Sequence, residues 1–197
     1  MSKGERLRRE DFPTAETIES EIKREVYKNR YFRILKSTIY SLVVVAAIAV
    51  LIATLVLPVL QISGTSMEPT LENGDIVVLF KTADLERGDI CGFSYSNKIL
   101  VKRVIGLPGD VITVNGDGDV TVNGTTLDEP YVSEKGLGEC DIELPFTVPE
   151  NEYFIMGDRR ETSIDSRSTV IGCVSKEQVI GKIFMQVWPL KDLAIFD

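Results

Sequence analysis

Residues 38–60 read TIYSLVVVAAIAVLIATLVLPVL, and no charged residue occurs between Ser37 and Met67. As a helix rising ~1.5 Å per residue this run is roughly 34 Å long, enough for a hydrocarbon core of ~30 Å. A cleaved leader would have an apolar core of ~7–15 residues close to the N-terminus. This run is longer and follows a polar segment of 37 residues. The reading is an uncleaved transmembrane helix over 38–60, with a leader or a buried core helix as its rivals.

The flanks set an orientation. Lys23, Arg24, Lys28, Arg30, Arg33 and Lys36 precede the run, and the first basic residue after it is Lys81. Basic flanks stay in the cytoplasm. Residues 1–37 are therefore expected inside and residues 61–197 outside, in a single pass of the cell membrane. Residues 1–37 hold ten Lys and Arg against seven Asp and Glu, net +3, and the remainder holds twelve against 23, net −11, which together give the −8 of the chain. An acidic outer domain argues against nucleic acid, which needs a basic face. The basic segment can touch anionic lipid headgroups, or act only as a stop signal for insertion.

Beyond the membrane the period changes. The runs 75–80, 89–95, 99–105, 111–114, 120–122 and 153–156 are short and β-branched or aromatic, with Gly, Asn, Asp and Pro between them. Asn115-Gly116-Asp117-Gly118-Asp119 signals a hairpin, and Asn123-Gly124 signals a second turn. Residues 179–188 form a last apolar run. The expected fold is mostly β, an antiparallel β-sheet domain on a single N-terminal transmembrane helix, with no internal repeat. Pro13 reads as the first turn of a helix running into the span, and Pro58 as its kink or end.

The chain contains no histidine. Ser-His-Asp and Cys-His catalysis are thereby removed, and a zinc site is disfavoured; no metal or cofactor is expected. Cys91, Cys140 and Cys173 are widely spaced, which allows one disulfide with a free thiol or three packed thiols. A serine nucleophile must then find another base. A lysine serves if its pKa falls from ~10.4 to ~7–8, which disfavours the ammonium by ~4 kcal/mol. Burial among apolar side chains has that effect. Lys102 lies in such a run, Ile99-Leu-Val-Lys-Arg-Val-Ile105. In strict alternation Lys102 and Arg103 point to opposite faces, so one must take the less solvated side. An ordinary edge-strand lysine is the plainer reading of the same pattern.

Four segments carry a resemblance. Residues 63–71, SGTSMEPTL, follow the apolar run; 74–80, GDIVVLF, 102–110, KRVIGLPGD, and 157–167, GDRRETSIDSR, follow in order. They resemble the conserved boxes of the bacterial type I signal peptidases, over roughly residues 37–190, in the single-span, Gram-positive-like form. The resemblance implies a Ser/Lys dyad, with Ser66 attacking the scissile carbonyl and neutral Lys102 as general base. It implies that Ser163 hydrogen-bonds the lysine ammonium and that Asp165 and Arg167 form a supporting ion pair; Asp158 reads as a turn and scaffold residue. Met67 lines the substrate groove or fills the core. The implied substrates are exported preproteins, cut after small-x-small motifs where their signal peptides leave the lipid bilayer.

Two positions depart from the family pattern. Gly64 stands where many Gram-negative members have a serine that helps bind the oxyanion, so main-chain N–H groups must serve. Arg159 stands where the family usually has Asn. A membrane-anchored β-rich binding or assembly module, a degenerate peptidase, is the alternative from another class. The intact Ser66, Lys102 and Ser163 speak against it.

Overall fold

A computed structural model describes residues 14–82 and 84–196. It divides into two compact units, residues 1–52 and 53–197. The first holds most of the helix α1, Ala15–Val56. Its start is capped by Thr14, whose hydroxyl accepts the Thr17 N–H at 3.4 Å; Pro13 lies outside the described residues. Leu42, Val43, Val44, Val45 and Ile48 are all exposed, so the helix is apolar around its circumference, as a lipid-facing helix is. It is long and apolar enough to cross a membrane.

The helix stops at Val56, four residues before the end of the apolar run. Val59–Gln61 instead form a strand, β1. Pro58 has no N–H to continue a helix, and its carbonyl accepts the Leu79 N–H at 2.8 Å. The last two residues assigned to the span thus belong to the sheet.

The second unit is antiparallel throughout its described pairings. After β1 come β2 (Ile76–Phe80), β3 (Ile90–Tyr95), β4 (Lys98–Gly106), β5 (Val111–Val114) and β6 (Val120–Val122). The strands β7 (Thr125–Thr126), β8 (Phe146–Thr147), β9 (Glu152–Met156) and β10 (Val174–Ser175) follow. The long β11 (Val179–Trp188) and the short β12 (Ala194–Ile195) close the chain. The larger sheet runs β1-β2-β11-β3-β4-β9-β10, with β12 beside β11; the smaller runs β7-β6-β5-β8. β11 is thus inserted between β2 and β3.

One short device starts three of these strands. Glu72-Asn-Gly-Asp75, Glu86-Arg-Gly-Asp89 and Leu107-Pro-Gly-Asp110 each form a turn. In each, the Asp carboxylate accepts the N–H of the residue three places back, at 2.8, 2.8 and 2.6 Å. The glycines take φ of 99°, 98° and 83°, where a Cβ is strained. The next residue opens β2, β3 or β5. No long repeat exists, but this four-residue one does.

The predicted hairpin joins β5 to β6, with Asn115 Oδ1 accepting the N–H groups of Asp117 and Asp119. Ile112, Val114, Val120 and Val122 point inward from the small sheet and pack on Ile105, Phe154 and Met156 of the larger one. A second cluster, with Met67, Leu71, Val77, Leu79 and Ile90, lies under the serine-bearing segment. The three cysteines are free. Burial first, with the Asp89 charge, pushes the Cys91 thiol up to about 12.

Candidate active site

Ser66 opens the turn 66–70, which residues 62–65 join to β1. Met67 and Leu71 anchor this turn: both are buried, and the Leu71 N–H donates to the Met67 carbonyl at 3.0 Å. Gly64 takes φ of 106° and its N–H donates to Asn73 Oδ1 at 3.0 Å. That donor is therefore committed, whereas the Ser66 N–H has no partner among the described residues.

Lys102 sits midway along β4, opposite Cys91 of β3. Its Nζ donates to Ser66 Oγ at 2.6 Å. The side chain is 5% exposed. Burial lowers its pKa from the usual lysine range; Asp165 and Asp158 oppose this and Arg167 assists. The carboxylates cannot hold the ammonium because each already faces a guanidinium. Asp165 is chelated by Arg167, through Nε at 2.9 Å and Nη2 at 2.9 Å, with both side chains fully buried. Asp158 is chelated by Arg103, through Nε at 2.8 Å and Nη2 at 2.6 Å. Desolvation therefore wins.

Alternation required one of Lys102 and Arg103 to be buried. Both are, since Arg103 is only 9% exposed. The pairing with Asp158 removes the penalty that would otherwise keep the guanidinium in water. Arg103 also lies over the Tyr131 ring, 3.9 Å from its centroid. Thr70 donates to Asp158 Oδ2 at 2.5 Å, which ties the serine-bearing turn to this pair. A third buried pair, Arg160 with Glu129, stands alongside at 2.5 and 3.0 Å. Arg160 Nε also donates to the Gly157 carbonyl at 3.1 Å.

The last box wraps Ser66 and Lys102. The Arg159 N–H donates to the Ser66 carbonyl at 3.1 Å, and the Gly157 N–H to Asp165 Oδ2 at 2.9 Å. A Cβ on Gly157 would lie 2.6 Å from the Ser66 carbonyl oxygen, so only glycine permits this approach. Ser163 is buried beside Gly157, and its hydroxyl makes no hydrogen bond, to Lys102 or to any other described group. Asp165 and Arg167 do form the ion pair that the resemblance implies. Met67 packs in the core and also lines a cavity of about 120 Å³ with Leu60, Gly64, Ser66, Val101 and Lys102.

Thr70, Arg103, Glu129, Tyr131 and Arg160 escaped the sequence reading as site residues. Arg103 carried a signal, a second cation in an apolar strand. Glu129 and Tyr131 carried none. Among the described residues no cluster of His, Cys, Asp or Glu could hold a metal ion.

The family model described as signal peptidase, peptidase S26, matches residues 35–188. The class is that of serine-type peptidases, here on an antiparallel β scaffold with one apolar N-terminal helix. The chain belongs to the signal peptidase family, peptidase S26. It is 35% identical over 179 residues to signal peptidase I of Bacillus licheniformis, covering 84% of this chain and 93% of the relative. It is 33% identical over 174 residues to signal peptidase IB of Staphylococcus aureus, covering 78% and 90%. A crystal structure of a signal peptidase I from Enterococcus faecalis matches 50% of this chain and 96% of its own, at 30% identity and a TM-score of 0.43.

Proposed function

We propose that this chain is a membrane-anchored endopeptidase that removes signal peptides from exported preproteins, with Ser66 as nucleophile and Lys102 as general base. The observation that carries this reading is the 2.6 Å contact between Lys102 Nζ and Ser66 Oγ in a buried, histidine-free site. Burial lowers the pKa of Lys102 and so favours the neutral amine, the form that can accept the serine proton. Ser66 Oγ then attacks the scissile carbonyl, and the Lys102 ammonium returns a proton to the leaving amine. Water, deprotonated by the regenerated amine, hydrolyses the acyl-enzyme.

The free Ser66 N–H supports a main-chain donor to the oxyanion. The unpartnered Ser163 hydroxyl supports a donor and acceptor available to Lys102 as it changes charge. β9 pairs with β4 only from Arg103 onward, so β4 residues 98–102 offer a free edge beside Ser66. An extended substrate can add there as a strand, with small side chains before the cut entering the cavity of about 120 Å³. The basic segment before the helix supports a cytoplasmic N-terminus, a span ending near Val56 and a peptidase domain outside.

The test compares full-length protein, Ser66→Ala and Lys102→Ala on a preprotein. Cleavage by the wild type alone is expected. Full activity of Lys102→Ala would refute the dyad, and an inactive wild type that still binds preprotein would favour the binding module.

A further inference from the structure

Residues of the turn 66–70 line two cavities. The one described above lies on the side of Gly64 and the free β4 edge. The other, of about 220 Å³, is lined by Glu68, Pro69, Ser133, Glu134, Arg159, Arg160 and Glu161. Its link to the nucleophile is direct, since the Arg159 N–H is bonded to the Ser66 carbonyl. Arg159 Nη1 pairs with Glu68 Oε2 at 2.7 Å, and both side chains remain partly exposed. This second cavity has no role in the scheme above.

We infer that this cavity receives the residues following the cleaved bond, and that the Arg159–Glu68 pair sets its charge preference. The inference rests on the dyad reading. A peptide whose scissile carbonyl lies over Ser66 must leave the nucleophile on both sides. If its small residues occupy the cavity beside Gly64 and β4, its leaving half crosses the turn toward Glu68 and Arg159. Arg160 adds no net charge there, because it is buried and neutralised by Glu129. The groups that meet a peptide are the carboxylates of Glu68, Glu134 and Glu161 against the single guanidinium of Arg159. The balance is negative. The cavity therefore favours basic side chains in the leaving half and disfavours acidic ones, with Arg159 holding that preference in check.

The test uses full-length protein in detergent micelles and three preproteins that differ only in the two residues after the cut, Lys-Lys, Gln-Gln or Glu-Glu. The wild type is expected to cleave the lysine form about fivefold faster in kcat/KM than the glutamate form, with the glutamine form between. The ratio should shrink as salt is raised through the range that screens exposed charges. Arg159→Gln should widen the lysine-to-glutamate ratio, Arg159→Lys should restore it, and Glu161→Gln should narrow it. Because each ratio is taken within one enzyme, a general loss of rate cancels. Equal rates for the three substrates, or a ratio unmoved by Arg159→Gln, would overturn this inference while leaving the dyad intact. Failure of the wild type to cleave any of them would overturn both.

Discussion

Lys102 and Arg103 are neighbours on β4, yet the regions around them treat a buried cation in opposite ways. Arg103 is given a chelating carboxylate, a backbone carbonyl at 2.8 Å and an aromatic face. Lys102 is given a hydroxyl, and the carboxylates near it are already committed to arginines. The first arrangement keeps a charge and builds structure from it. The second withdraws the support a charge needs, so the amine is driven toward neutrality. One strand thus carries both a structural cation and the proposed base.

The comparison breaks most severely if the base is made permanently charged. Lys102→Arg should abolish cleavage, by about 10³-fold or more, because a guanidinium does not deprotonate; single-turnover assays check this. Next is Asp158→Ala, which strands Arg103 without a carboxylate. It should cost about 3–5 kcal/mol in chemical denaturation and also slow cleavage, since Thr70 loses its acceptor. Ser163→Ala should lower kcat by about tenfold, the value of one hydrogen bond of ~1.4 kcal/mol, with unfolding little changed. A larger change in unfolding than in kcat would assign Ser163 to packing.

The smallest effects are in pH. The rate should fall as pH drops through the lowered pKa of Lys102, and a profile flat from about pH 5 to 9 would count against a lysine base. Stability follows the same sign. The unfolded chain keeps the Lys102 proton up to about pH 10.4, while the folded chain releases it earlier. The unfolded state therefore binds more protons in that window, and stability rises with pH there. Lys102→Met should remove this cost, raising the unfolding midpoint most at low pH. An equal gain at every pH would mean that packing alone had changed.

The difference between the two cations was only half legible in the sequence. Lys102 in an apolar run, after a serine with no histidine to help it, was a candidate base beside the plainer edge-strand reading, and the resemblance to the family made it the expected one. The partner of Arg103 was not legible, because Asp158 is 55 residues away and only the pairing of β9 with β4 brings it close. Glu129 and Arg160, 31 residues apart, carried no shared signal either. Among the strands, β5 and β6 appeared where Val and Ile alternation placed them, and β11 where the last apolar run lies. β7, β8, β10 and β12 are two residues each, too short to show a period. β1 was hidden inside the apolar run, where Val59 and Leu60 resemble the span and only Pro58 marks the change.

The insertion of β11 between β2 and β3 has a consequence for when the protein becomes a protease. Ser66 stands on the β1–β2 side of that strand and Lys102 on the β3–β4 side. β11 is made after both, more than 70 residues beyond Lys102. A nascent chain ending before residue 179 lacks the strand that joins the two halves within the sheet. Pairing across such a separation is also late in folding, because loop closure must precede it. Ser66 and Lys102 are thus synthesised early but brought into one sheet late.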